Sequence, residues 1–135
     1  MTEGYAVEVR DHIMIAHSLP AAVFGPAQRM HGATYVVDAA FFADALDAHG
    51  IVVDIGRATE ALAEALAPLR YRNLDELPEF AGRLTTTEVL CRHVFDALVG
   101  AARAGRLADG GRLRRIRVML HESHAARAWY EGALA

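Results

Sequence analysis

Two stretches near the N-terminus alternate between apolar and polar residues, which is the period of a β-strand with one buried face. The first covers residues 5–17 and ends in His17, and the second runs from about residue 30 to 42 and includes His31. An irregular loop of 13 residues, with two prolines and one glycine, connects them. We therefore expect a hairpin whose odd-numbered side chains share one face, on which the two imidazoles converge.

Two later segments have apolar residues three and four positions apart, which is the period of a helix with one buried face. The first predicted helix covers about residues 57–69 and follows Asp54, whose carboxylate can cap its first turn. The second begins at Thr85, and Thr85 and Glu88 have the spacing of a capping box. Both patterns predict amphipathic helices that pack on a sheet.

Two more alternating segments, at about residues 114–122 and 129–134, follow a glycine-rich turn. The resulting order, β-β-α-α-β-β, has no internal repeat and no linker, so we expect one α+β domain over residues 1–135. It would contain a four-stranded antiparallel sheet with two helices on one face. Such a sheet has two free edges, and pairing them between subunits into a barrel would satisfy both, so we expect a homo-oligomer.

Composition narrows the functional classes. Apolar residues make up 53% of the 135 positions, and the net charge of −3 gives no general attraction to nucleic acid or to anionic membranes. All 14 basic residues are arginine, which excludes a lysine Schiff base and a Walker-type phosphate loop. The single cysteine, Cys91, lies in a helical pattern and is expected in the core. With no signal peptide or membrane-spanning run in the sequence, we expect a cytoplasmic protein that binds a small molecule.

Glu122 directly follows an apolar strand pattern. Its carboxylate can accept two parallel N–H bonds from the edge of a planar nitrogen heterocycle, although an ordinary surface carboxylate would fit the same position. Thr86 and Thr87 can bind the heterocycle at the start of the second helix, where backbone N–H groups are also free. Helix capping would explain the threonines without any ligand.

His17 and His31 can bind a metal, but a catalytic zinc usually takes three protein ligands. His124, His12 or Glu122 can supply the third, and His124 ranks first if the strand extends that far, because it shares strand parity with Glu122. The alternative is a pair of histidines that are hydrogen-bonded in a polar cleft.

Three other side chains are weaker candidates. Tyr71 can act as a general acid, although a phenol is a poor base near neutral pH, and its alternative role is packing. Arg29 can hold a phosphate or carboxylate, and a solvated guanidinium is the alternative. His121 has the opposite strand parity to Glu122, and we expect it to be exposed or structural.

Five motifs in the expected order resemble the family of 6-pyruvoyl-tetrahydropterin synthase and 6-carboxytetrahydropterin synthase, which has the tunnelling fold. They are Ile15-Ala16-His17, His31-Gly32-Ala33-Thr34-Tyr35, the Gly-Ile-Val-Val-Asp-Ile-Gly run at 50–56, Thr86-Thr87-Glu88, and the strand from Val118 to Glu122. The resemblance covers nearly the whole chain. It implies zinc on His17 and His31, a pterin anchored by Glu122, and trimers that often pair into hexamers.

The chain also departs from the pattern of that family. The position of the family's third zinc-binding histidine is Ala33, and that of its cysteine base is Ala27. Its Asp-His pair falls on Arg70 and Tyr71. One metal ligand and the main proton-transfer groups are therefore absent, so the fold and the pocket carry over better than the family's own reaction.

The resemblance first implies a diverged synthase-like carbon-oxygen lyase that acts on a reduced pterin or a related purine-derived metabolite. In this hypothesis Glu122 and Thr86 or Thr87 orient the ring, and a metal on His17 and His31 polarises a side-chain oxygen.

A proton would then be moved by Tyr71 or His124. A second hypothesis is a non-catalytic pterin- or purine-binding protein that keeps the pocket and has lost the metal. A third is an aldol or cyclisation enzyme that acts on another anionic substrate.

Overall fold

The computed structural model describes residues 3–134. Four strands and two α-helices follow one another along the chain: β1 (Tyr5–His17), β2 (His31–Ala43), α1 (Ile55–Leu66), α2 (Thr87–Arg103), β3 (Leu113–His121) and β4 (Arg127–Ala133). All neighbouring strands are antiparallel, in the order β1-β2-β3-β4. This confirms the predicted α+β class and the β-β-α-α-β-β order. Within residues 3–134, none of the helices has the length and apolar character needed to cross a bilayer.

The core lies between the sheet and the two helices. Odd-numbered side chains of β1 and β2 and even-numbered ones of β3 point into it, as the strand alternation predicts. The largest side chains that are almost fully buried come from both layers: Ile13, Tyr35, Phe41, Leu62, Leu66, Leu90, Leu98, Ile116 and Leu120. The same register pairs His17 directly with His31 at the loop end of the β1–β2 hairpin.

The N-terminus of α1 follows the prediction. Asp54 is its N-cap, and the Asp54 carboxylate accepts a hydrogen bond of 2.9 Å from the backbone N–H of Arg57. The helix itself ends at Leu66, earlier than expected, although Leu69 beyond its end remains fully buried.

The capping box predicted between Thr85 and Glu88 is wrong. Thr86 is the N-cap of α2, and its hydroxyl oxygen accepts a bond of 3.3 Å from the backbone N–H of Val89. Thr85 lies one residue before the cap and is buried, and its hydroxyl contacts Nδ1 of His17 at 2.9 Å. A tertiary contact with β1 therefore occupies the side chain that the local spacing assigned to the helix.

The segment between the helices packs along one end of β1. The backbone N–H of Tyr71 donates to the carbonyl of Met14 at 2.8 Å, and the N–H of Ala16 donates to the carbonyl of Arg72 at 3.0 Å. Tyr71 has a φ of 56°, in the left-handed region. In the described part of the chain no further strand pairs with the rest of the β1 edge or with the outer edge of β4.

Candidate functional site

Four chain segments meet at one end of the sheet: the end of β1, the start of β2, the N-terminus of α2 and the end of β3. His17 is buried there, with 3% of its surface exposed, and its ring stands edge-on to that of His31, with centroids 4.6 Å apart. The hairpin register produces this contact, so the predicted convergence of the two imidazoles is confirmed.

Both rings are held through Nδ1. The Nδ1 of His31 lies 2.8 Å from the backbone carbonyl of Arg29, and because a carbonyl only accepts, this nitrogen carries the proton. Its Nε2 then keeps the lone pair that a metal or a ligand N–H needs. The hydroxyl of Thr85 lies 2.9 Å from Nδ1 of His17 and, because a hydroxyl can donate or accept, it fits either tautomer of that ring. Burial lowers the pKa of His17, and the neighbouring His31 lowers it further, so its neutral form is favoured.

A zinc ion at this pair needs at least one more protein ligand to match a catalytic site. No group of three His, Cys, Asp or Glu side chains converges to hold a metal among residues 3–134. Ala33 lies on the same strand face as His31 and offers only a methyl group. The side chains present therefore form an incomplete zinc site, with two of the three expected ligands.

Glu122 lies where the end of β3 approaches the start of α2. Its Oε2 is 3.5 Å from Oγ1 of Thr87, a long contact that leaves most of the carboxylate available. The negative charge of Glu122 acts on both His17 and the buried Tyr35, which places it close to the histidine pair. The site thus combines two imidazoles, one carboxylate and a helix N-terminus.

A cavity of about 740 Å³ lies beyond Glu122, over the sheet face that points away from the helices. Small-molecule sites commonly have such volumes. The polar side chains that line it include those of Arg10, Thr34, His121, Glu122, His124 and Arg127. We call this space the outer cavity.

Asp38 lies on the same outer face beside this cavity and is nevertheless buried, with 3% of its surface exposed. Arg10 donates two hydrogen bonds to its carboxylate, from Nε at 2.6 Å and from Nη2 at 2.9 Å. Nε2 of His121 contacts Oδ2 of Asp38 at 2.7 Å. The hydrogen bond from Arg10 is the main reason that the pKa of Asp38 lies below its ordinary value.

Sequence reasoning did not single out Asp38, although one signal was available. Asp38 is the only charged residue of β2, and it interrupts an apolar run. The sequence predicted that His121 faces away from the core, which the structure shows, but it did not predict the contact between His121 and Asp38.

The remaining predicted site residues lie apart from the histidine pair. β3 ends at His121 and a turn follows, so the parity argument for His124 fails, and His124 lines the outer cavity instead. His12 is exposed and projects from the face opposite His17. Tyr71 is 79% exposed. Arg29 contributes its backbone carbonyl to His31, while its side chain lies at the surface.

Cys91 is fully buried, as predicted. Its thiol contacts the backbone carbonyl of Ala128 at 3.3 Å. Burial raises the pKa of the thiol to about 11, which makes the thiolate unavailable near neutral pH. Cys91 is therefore part of the core rather than of the site.

A family model described as 6-pyruvoyl tetrahydropterin synthase matches residues 6–133. The solved structure of 6-pyruvoyl tetrahydropterin synthase from Caenorhabditis elegans is similar, with a TM-score of 0.81 and 20% identity over 98% of each chain. That of the Plasmodium vivax enzyme has a TM-score of 0.79 and 14% identity, over 97% of this chain and 99% of that one. No curated protein matches this sequence. The structural likenesses confirm the expected tunnelling fold.

Proposed function

The chain belongs to the 6-pyruvoyl tetrahydropterin synthase family, and we propose that it is a lyase acting on a reduced pterin or a related purine-derived metabolite. One observation supports this most: the Glu122 carboxylate lies between the start of α2 and the outer cavity, within electrostatic reach of His17. A carboxylate in this position can bind a planar nitrogen heterocycle from its edge.

In the proposed complex Glu122 accepts two parallel N–H bonds from the aminopyrimidine edge of the ligand. Thr87 stands beside the carboxylate and donates its hydroxyl proton to it, so the hydroxyl oxygen can accept a bond from an N–H of the ligand. Thr86 uses its oxygen as the helix cap, so its O–H proton remains free to bond the ligand. The free N–H groups of the first turn of α2 add positive potential.

We propose the histidine pair, His17 and His31, as the zinc-binding position. His17 and His31 would supply two nitrogens, and when bound the ion would polarise a ligand oxygen as a Lewis acid. Because residues 3–134 supply only two of the three ligands, the third position would have to be filled by the substrate, by water or by a partner subunit.

For proton transfer we propose His124 and Tyr71, in that order. His124 lines the same cavity as Glu122, which supports a role close to a bound ring. Tyr71 is exposed and would need a substrate brought to it, for example by assembly of subunits. Arg29 lies next to His31 at the surface and is proposed to bind an anionic group of the substrate.

We further propose a homo-oligomer, a trimer or a hexamer. The sheet order leaves most of β1 and the outer edge of β4 without a strand partner in the described chain. Pairing β1 of one subunit with β4 of the next would cover both edges and extend the sheet.

The second candidate is a pterin- or purine-binding protein without catalysis. The specific observation that favours it is the incomplete metal site, because Ala33 offers only a methyl group and no third protein ligand joins the histidine pair between residues 3 and 134. A third candidate, an aldol or cyclisation enzyme on another anionic substrate, would use the cationic side chains of the outer cavity, such as Arg127.

One experiment separates these candidates. The protein is purified without a metal-binding tag and incubated with 7,8-dihydroneopterin triphosphate, with and without added zinc. Release of triphosphate supports the lyase. Tight binding without release supports the binding protein. Absence of binding contradicts both and favours the third candidate.

A further inference from the structure

We propose that His121 is a catalytic base of the outer cavity and that Asp38 and Arg10 position it. The inference rests on the proposed function only for the identity of the ligand, a pterin-like ring held by Glu122. The arrangement of the three side chains stands independently of that identity.

The hydrogen bond to Asp38 decides which nitrogen of His121 faces a ligand. Asp38 is an ionised carboxylate and can only accept, so Nε2 of His121 carries the proton across the 2.7 Å contact. The neutral ring then keeps its lone pair on Nδ1. Within residues 3–134, Nδ1 of His121 makes no hydrogen bond, and the side chain is 22% exposed beside the outer cavity.

Asp38 is well suited to position an imidazole. Its side chain is 4% exposed, and both of its oxygens already accept bonds from Arg10, so the carboxylate has one fixed orientation. A buried carboxylate beside the ring stabilises the imidazolium that forms when Nδ1 takes a proton. An ion pair that only stabilised the surface would not require a buried carboxylate that Arg10 also fixes through two hydrogen bonds.

The two carboxylates at this cavity have different surroundings, which suits different roles. Asp38 is saturated by Arg10 and His121, whereas Glu122 has a single long contact, from Thr87. His121 and Glu122 are adjacent in sequence and line the same cavity. A ring anchored on Glu122 would therefore place its substituents near Nδ1 of His121.

The proposed step is a proton abstraction. Nδ1 of His121 takes a proton from an O–H, or from a C–H next to a carbonyl, of the ligand. The bond to hydrogen breaks, an N–H bond forms, and the electron pair stays on the ligand as an alkoxide or enolate. Return of the proton to another ligand atom restores the neutral imidazole, so the step needs neither an oxidant nor a reductant.

Charged groups lie on both sides of His121. Asp38 and Arg10 contact one side of this cluster, and Glu122, His124 and Arg127 line the cavity on the other. Replacing Asp38 by asparagine removes the negative charge nearest the ring. The asparagine amide cannot stabilise the imidazolium that forms in the step, so the step should slow.

A first test reads the tautomer directly by ¹⁵N–¹H NMR of the whole protein labelled at histidine nitrogen. The His121 signals are assigned from their loss in His121→Gln. We expect the Nε2–H tautomer near pH 8 in the wild type. An Nδ1–H tautomer would overturn the inference, whatever the ligand is.

A second test uses turnover of 7,8-dihydroneopterin triphosphate. His121→Gln should lower kcat at least ~100-fold while KM stays within about threefold, since general-base catalysis commonly contributes that much. The matched control is His12→Gln, because His12 lies on the same outer face and the same row of the sheet register and is exposed. Asp38→Asn should lower kcat with little change in KM and should alter the ¹⁵N tautomer signals of His121, whereas a merely structural Asp38 would leave those signals unchanged.

The outcomes separate this inference from the proposed function. If the wild type turns the pterin over and His121→Gln does so equally well, the inference fails and the proposed function stands. If the wild type does not bind the pterin, the proposed function fails. The NMR test then still judges this inference, because an Nδ1–H tautomer of His121 would overturn it.

Discussion

The imidazole rings of His17 and His31 lie 4.6 Å apart at an interplanar angle of 63°. Their two residues are directly paired across the β1–β2 hairpin, and each ring is fixed through Nδ1 by a neighbour from elsewhere in the site. The arrangement is rigid because strand register, rather than a loop, determines it. What distinguishes this pocket is the methyl group of Ala33 beside it.

Introducing a third imidazole should create a strong zinc site. Ala33→His places a ring on the same strand face as His31, and we expect zinc affinity to rise at least ~100-fold over the wild type. Zinc per subunit is measured after dialysis against a weak chelator. Thr34→His, on the opposite face of the strand, is the matched control. Equal zinc content in wild type and Ala33→His would contradict this geometry.

Stability should fall as pH drops through the ordinary histidine range. Burial keeps the pKa of His17 below 6.5, so between that lowered value and 6.5 the unfolded chain binds more protons than the folded one. The contribution of neutral His17 is complete above pH 6.5 and is lost as pH falls below it. Half-buried His93, whose pKa burial also lowers, adds in the same direction.

The measurement is the free energy of unfolding in denaturant from pH 8 to pH 5. We expect its dependence on pH to be weaker in His17→Gln and in His93→Gln than in the wild type. Asp38 does not contribute to the change between pH 8 and pH 5. Its pKa is lowered in the folded protein, so the stability that its ionised form provides is lost only below pH 3.8. A slope in His17→Gln as steep as that of the wild type would argue against a buried neutral His17.

The two threonines before α2 should behave differently when truncated. Thr86→Ala removes the N-cap and should cost about 1 kcal/mol of the free energy of unfolding. Thr85→Val keeps the shape but removes the partner of His17 Nδ1, so it should move the pKa of His17 as well as destabilise the fold. Denaturant unfolding and histidine NMR titration measure the two effects. If Thr85→Val left the His17 signals unchanged, the 2.9 Å contact would have no role.

The free edges of the sheet predict assembly in solution. Light scattering coupled to size-exclusion chromatography should give three or six times the mass of one chain at micromolar concentration. A monomer across that range would show that the exposed edges of β1 and β4 are tolerated without pairing.

Strand alternation was sufficient to predict the hairpin and the shared face of His17 and His31. Together with the helical spacing of apolar residues, it also predicted the β-β-α-α-β-β order. It could not predict the role of Thr85, because the contact with His17 joins residues 68 positions apart and competes with a local capping pattern. Parity also failed for His124, since it assumes an extended chain and β3 ends at His121.

Asp38 and His121 illustrate the same limit. Their positions are 83 residues apart, and alternation indicates only that each leaves the core face. The register between β2 and β3 brings them together, and register follows from packing of the whole sheet rather than from either segment alone.

The most direct test of the proposed function is binding of 7,8-dihydrobiopterin by the wild type and by Glu122→Gln, measured by calorimetry. The amide keeps the size of the carboxylate but loses its charge and one acceptor oxygen. We expect binding by the wild type and an increase in Kd of roughly 30- to 100-fold in Glu122→Gln, equivalent to ~2–3 kcal/mol for charge-assisted hydrogen bonds. Glu131→Gln, on β4 and paired with Arg115, should bind as the wild type does. Equal affinity of the wild type and Glu122→Gln would contradict the account.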